Sequence, residues 1–280
     1  MTVGLRMSIS TFGKYGVWAG YNVISPQVSR DLEQLGIGAV WLGGSPQTLT
    51  EVRAILDATT ELNVATGITN IWNTDPAKIA QEFAAIEADH PGRFILGVGA
   101  GHREATKEYT KPYEAVVNYL DVLDSEGLGN DHRVLAALGP RMLRLARDRS
   151  LGAHPYLTTP EHTREARSIL GSELFLAPEQ KIVPTTDPQR AREVGGKAVD
   201  QPYLHLKNYT DNLRRLGFDD DDFAGGGSDR VIDALVGYGQ PAQIKAKIDA
   251  HLQAGASHVA IQVLSRDIVD AIRQLNLLSS

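Results

Sequence analysis

The segment Arg93-Phe-Ile-Leu-Gly-Val-Gly-Ala-Gly-His102 ends in three alternate glycines, Gly97, Gly99 and Gly101, followed by a histidine. Glycine at every second position strips one face of a strand of Cβ atoms, so a flat ligand or another backbone can come close. The pattern is not a dinucleotide fingerprint, because the position three after Gly99 is His102 and the HREATKEYTKP that follows is polar rather than the start of an apolar helix. A tight corner of a barrel would use the same glycines. In Ala65-Thr-Gly-Ile-Thr-Asn-Ile-Trp72, Gly67 lies where a strand should bulge, and Thr69 and Asn70 follow as short hydrogen-bonding side chains. In Ala136-Ala-Leu-Gly-Pro-Arg141, the turn Leu138, Gly139, Pro140 opens a helix whose free N–H groups, with Arg141 and Arg144, form a natural anion site. Of the eight histidines, His102 and His154 stand at the ends of expected strands, and imidazole titrates in the range that suits proton transfer. The histidines show neither HxH nor HExxH spacing and the chain has no cysteine, so no metal is expected. The run Asp219 to Asp222 before Gly225-Gly-Gly reads as a solvated loop, since like charges in a row normally face water.

These junctions need a scaffold. Short apolar runs recur, each followed by a turn and a helical pattern, which argues for a parallel sheet. The expected strands are Val3 to Ser10, Ala39 to Leu42, Asn63 to Ile68, Arg93 to Val98, Arg133 to Leu138, Leu151 to Tyr156, Leu174 to Val183 and His258 to Leu264. Eight strands suit a closed (β/α)₈ barrel, and 280 residues suit one such domain spanning 1–280. Helix starts are marked by a capping residue before proline at Ser25, Ser45, Asp75, Thr159 and Asp187, and helix ends by Gly36, Gly171, Gly217 and Gly255. Barrel enzymes carry their functional groups where strands end, which is where all three junctions fall.

The balance of 28 basic against 34 acidic residues, with no basic block, argues against nucleic acid and anionic membrane surfaces as partners. No apolar run approaches the ~20 residues of a membrane helix, and Met1 to Met7 lacks the pattern of a signal peptide, so a cytoplasmic protein is expected.

Taken together, TGITNIW, then DPAKIAQEFAAIEADHPGRFILGVGAGH, then RVLAALGPRMLRLARDRSLGAHPYLTTPEHT resembles the luciferase-like monooxygenase superfamily, and within it the coenzyme F420-dependent oxidoreductase branch. The resemblance implies a bacterial luciferase-like TIM barrel with the deazaflavin over the strand ends, hydride transfer to or from a small-molecule substrate, and a homodimer. It further implies a non-proline cis peptide at Gly67-Ile68, Thr69 and Asn70 at the ring edge, and Gly99, Gly101 and His102 along its border. Leu138, Gly139 and Pro140 would receive the cofactor phosphate, with His154 also facing the pocket. Sugar-phosphate dehydrogenases of the branch place an Asp-His pair after strand two, where this chain has Leu42-Gly43-Gly44-Ser45. A glutamate common after the strand-four glycines is His102 here, which makes His102 the candidate catalytic acid or base. Two alternatives stand beside this reading: an FMN-dependent luciferase-like monooxygenase, and a deazaflavin- or flavin-binding protein without turnover.

Overall fold

The computed structural model describes residues 9–101 and 111–277. The strands are β1 (Tyr15–Gly20), β2 (Ala39–Gly43), β3 (Asn63–Thr66), β4 (Thr69–Asn70), β5 (Phe94–Gly99), β6 (Arg133–Leu135), β7 (Gly152–Ala153), β8 (Phe175–Leu176), β9 (Glu179–Ile182), β10 (Val236–Gly237) and β11 (Val259–Val263). Helices follow as α1 (Pro26–Gln34), α2 (Thr50–Ala58), α3 (Pro76–Asp89), α4 (Pro112–Ser125), α5 (Pro140–Arg149), α6 (Pro160–Leu170), α7 (Pro188–Asp200), α8 (Lys207–Arg215), α9 (Asp220–Phe223), α10 (Asp229–Leu235), α11 (Pro241–Gln253) and α12 (Ile268–Leu275).

Every pairing is parallel, in the order β10-β9-β11-β1-β2-β3-β5-β6-β7-β8, with β4 extending the third stave alongside β5. The ring closes through one kinked stave, 175–182. Its first part bonds to β7, with Ala177 N–H donating to Ala153 O at 2.9 Å, while Ala260 N–H donates to Pro178 O at 2.9 Å from the other side. Pro178 has no N–H to give, which is why this stave splits into β8 and β9 instead of running unbroken over Leu174 to Val183.

Side chains alternate along each stave. Val17, Val40, Val64, Leu96 and Leu135 point outward into the helical layer, whereas Trp41, Ala65, Ile95, Val134, Phe175 and Ala260 fill the barrel. The interior is thus a packed core. Phe12 seals its lower end, edge-on to Phe175 with ring centroids 5.6 Å apart.

Two expectations are corrected. The first strand is Tyr15–Gly20, not Val3 to Ser10; residues Ile9–Phe12 form a 3-10 turn, and 1–8 lie outside the described residues. Glycines hide this strand in the sequence, yet the barrel requires them, because a Cβ on Gly16 would run into the His258 imidazole. Asp219, Asp220 and Asp221 face solvent as expected, but the run is not a loop. Asp219 caps α9 in a reciprocal box with Asp222, and Asp222 is buried against Ser228 and Arg230. Among the expected helix starts, Ser25, Asp75 and Asp187 accept first-turn N–H bonds, Thr159 stands at the N-cap of α6 without a side-chain bond, and Ser45 precedes a turn, with α2 beginning only at Thr50. Gly36, Gly171, Gly217 and Gly255 all take positive φ, as their helix-ending positions demand.

Candidate active site

At the carboxyl end of the barrel, the third stave bulges. The Gly67-Ile68 peptide is cis, and β4 resumes pairing with β5 immediately afterwards, Thr69 opposite Val98 and Asn70 opposite Gly99. Ile68 stays partly exposed and lays its side chain across the bare face of β5, where a Cβ on Gly99 would stand 3.1 Å from Ile68 Cδ1 and 2.9 Å from Ala136 Cβ. Ile68, Gly99 and Ala136 therefore make a continuous low platform.

The polar residues of the bulge are turned to structural use. Thr69 is fully buried and donates to Thr66 Oγ1 at 3.2 Å. Asn70 Oδ1 accepts from the Trp72 N–H at 3.0 Å, and its amide nitrogen lies against Gly101, whose φ of 57° already favours glycine. Trp72 donates to Ala100 O at 2.7 Å. His102 lies outside the described residues.

Trp18 belongs to β1. Its indole N–H donates to Gly67 O at 3.2 Å, and its ring covers Gly43, where any Cβ would clash with it. Gly43 is the end of strand two, so no side chain can project from that point. His154 sits below this layer. Its ring stacks on Trp41 at 4.1 Å and 18°, and Nδ1 is 2.6 Å from Ala177 O. Nε2 is buried without a partner among the described residues and directed at Gly67. Burial pushes its pKa down to about 4, so the imidazole is neutral and faces the underside of the bulge instead of the open mouth.

Beyond the platform, the chain passes through Leu138 and enters α5 at Gly139, an N-cap with no side-chain bond and no acidic residue in the first turn. Among the described residues, no side chain caps the first-turn N–H groups. Leu138 O is held by His162 Nε2 at 2.8 Å and by Arg215 Nη2 at 3.3 Å. Arg141 is drawn away over the Tyr113 ring, 3.7 Å from its centroid, and toward Glu114, while Arg144 is exposed one turn further along α5. The cation beside this helix end is Arg215, from α8, which forms no ion pair among the described residues. Nothing local in the sequence near Gly139 could have announced a residue 77 positions away.

The opposite side of the mouth is polar and was not expected. Glu179 and Lys181 on β9 are both buried, and Gln262 on β11 with Tyr156 and Tyr203 continues them toward the surface. The alternation of Glu179 and Lys181 along one strand was the available signal, since both must face the same side.

The family model for luciferase-like monooxygenases matches residues 25–125. An F420-dependent secondary alcohol dehydrogenase bound to an F420-acetone adduct superposes over 95% of this chain and 98% of its own with TM-score 0.72 at 18% identity. The fold is that of the luciferase-like barrels. The luciferase-like fold also includes an FMN-bound type II Baeyer-Villiger monooxygenase from Pseudomonas putida, which matches over 95% of this chain and 97% of its own at TM-score 0.63 and 15% identity. By sequence, an F420-dependent glucose-6-phosphate dehydrogenase of Gordonia bronchialis is 36% identical over 73 residues, 26% of this chain. That match spans about a fifth, 21%, of the curated relative's length. The cis bond of this luciferase-like barrel falls at Gly67-Ile68, where the resemblance implied it. No helix among the described residues is long and apolar enough to cross a membrane.

Proposed function

We propose that this chain is, over its whole length as one domain, a coenzyme F420-dependent oxidoreductase acting on a small organic substrate. The observation that carries the reading is the union of two surfaces. The flat platform of Ile68, Gly99 and Ala136 runs within three residues into the uncapped N-terminus of α5, with Arg215 beside it. A flat apolar seat adjoining an anion site fits a ligand built of a planar ring and a phosphate-bearing tail.

In this reading the platform orients the ring, and Gly139, the first-turn N–H groups of α5 and Arg215 bind the phosphate. The deazaflavin, when bound, supplies a hydride-transferring carbon. Trp18 and Tyr156, with ring centroids 5.2 Å apart, wall the remaining mouth and exclude water from it. His102 is the proposed acid or base, following the branch position that it occupies. Because Gly43 is covered by the Trp18 indole, a strand-two acid/base pair has no place here, and sugar-phosphate oxidation by that route is not proposed.

Titration of the purified chain with F420 and with FMN, followed by cofactor fluorescence, tests the assignment. F420 binding at micromolar levels, about −8 kcal/mol, with FMN much weaker is the expected result. FMN alone binding would favour the monooxygenase reading, for which the FMN-bound neighbour of the same fold is the supporting observation. Capture of neither ends the proposal.

A further inference from the structure

The polar chain opposite the platform stands apart from the residues proposed above to seat the cofactor. Lys181 Nζ lies 3.2 Å from Glu179 Oε1, with both side chains 1% exposed. The same ammonium donates to Gln262 Oε1 at 3.0 Å, and Glu179 Oε2 accepts from the Leu157 N–H at 3.1 Å. Tyr156 donates to the same Gln262 oxygen at 2.8 Å, and Tyr203 donates to Tyr156 Oη at 3.1 Å. Lys181 Nζ also sits 3.9 Å from the centre of the Tyr156 ring. The chain therefore leads from a buried ion pair to Tyr156, Tyr203 and Gln262, which all keep partial exposure at the strand ends.

A buried ion pair is a poor stabilising device, since desolvation offsets most of the Coulomb attraction. What it does well is fix geometry. Here it holds Gln262, and through Gln262 the hydroxyl of Tyr156, beside the Trp18 ring that covers Gly43 and Gly67. The pair also carries no net charge toward the mouth. The partly exposed rings of Trp18, Tyr156 and Tyr203 pack side by side here, and this surface suits an uncharged ligand with one oxygen to be bound.

We infer that Tyr156 receives the oxygen of a small, neutral carbonyl or alcohol substrate, with Gln262 and the Lys181–Glu179 pair as positioning residues; this rests on the function proposed above. For a carbonyl, the Tyr156 hydroxyl turns from Gln262 to the ligand, and Gln262 is not left unsatisfied because Lys181 still donates to it. For an alcohol, Tyr156 Oη accepts. Burial and the nearby Glu179 hold the Tyr156 phenol well above its ordinary pKa, which keeps the donor proton in place at all working pH values.

Cyclohexanone and 2-propanol, titrated by saturation-transfer NMR against the full chain without cofactor, give a readout independent of turnover. Wild type binds cyclohexanone, and Tyr156→Phe weakens it about tenfold with the melting temperature unchanged. Lys181→Met alone would strand a buried carboxylate, so positioning is tested with the paired Glu179→Gln/Lys181→Met variant, expected to bind about threefold more weakly. The assignment is overturned by equal binding to Tyr156→Phe, by no binding to wild type, or by glucose 6-phosphate displacing cyclohexanone at lower concentration. An unchanged paired variant overturns the positioning roles. Should F420 and FMN both fail to bind while Tyr156-dependent cyclohexanone binding persists, the proposed function falls and the oxygen site stands.

Discussion

The two sides of the barrel mouth are built on opposite principles. From the third stave to the fifth, the rim is rich in bare backbone: Gly67, Gly97, Gly99 and Gly139, with Ile68 and Ala136 lying low beside them. From the sixth to the eighth, it is side chain: Tyr156, Glu179, Lys181 and Gln262, linked by hydrogen bonds. Bare backbone offers shape and N–H dipoles, which suit a large flat ligand whose own chemistry is supplied ready-made. Linked polar side chains offer a single fixed direction for one hydrogen bond, which suits a small ligand that must be oriented. The division separates a seat from a grip.

The largest expected effect tests what lies beneath both sides. His154, His258 and His251 are held by burial at about 4, about 4 and about 3, well under the ordinary 6.5. Their folded pKa is depressed, so the unfolded chain binds more protons in the window below 6.5. Stability is therefore full above that pH and falls as pH drops toward 4, by up to about 1.4 kcal/mol per pH unit for each histidine. Urea unfolding at pH 7, 6 and 5 should show a steep decline, and His154→Gln should remove roughly one share of it. A flat profile would refute the neutral buried imidazoles.

Next comes Lys181→Met. Leaving Glu179 buried without its cation should lower stability by about 3–5 kcal/mol, whereas the paired Glu179→Gln/Lys181→Met change should restore most of it. If both variants unfold at the same denaturant concentration, the two groups are not coupled and the grip loses its frame.

On the seat side, Gly99→Leu places bulk against Ala136 and Ile68, and F420 affinity should fall about 100-fold, some 2.7 kcal/mol. Retained affinity would move the ring off the platform. The smallest effect belongs to Arg215→Met, about tenfold in F420 affinity, with a flatter dependence on salt. An unaltered salt slope would separate the phosphate from α5.

The seat was more legible than the grip. Alternate glycines before His102, the Gly67 bulge and Gly139-Pro140 all stand out because glycine and proline state a backbone requirement locally. The hydrogen bonds by which Thr69 and Asn70 also serve the bulge and its turn were less legible, because they depend on Thr66 and Trp72 being near in space. The grip was overlooked because 156, 179, 181 and 262 are scattered, and a Glu and a Lys two apart read as an exposed strand face unless the barrel closes around them.

By itself the sequence determined the alternation of strands and helices, where most helices start and stop, and that three glycine-marked strand ends lie at one rim, since each follows from local backbone freedom or from apolar spacing. Only the tertiary structure decided that Trp18 would lie over Gly43 and Gly67, that Arg215 would replace Arg141 at the head of α5, and that Lys181 and Glu179 would face inward. Those outcomes depend on which residues the closure of the barrel brings into contact, and contact between residues as far apart as Trp18 and Gly67 or Leu138 and Arg215 leaves no local trace in the chain.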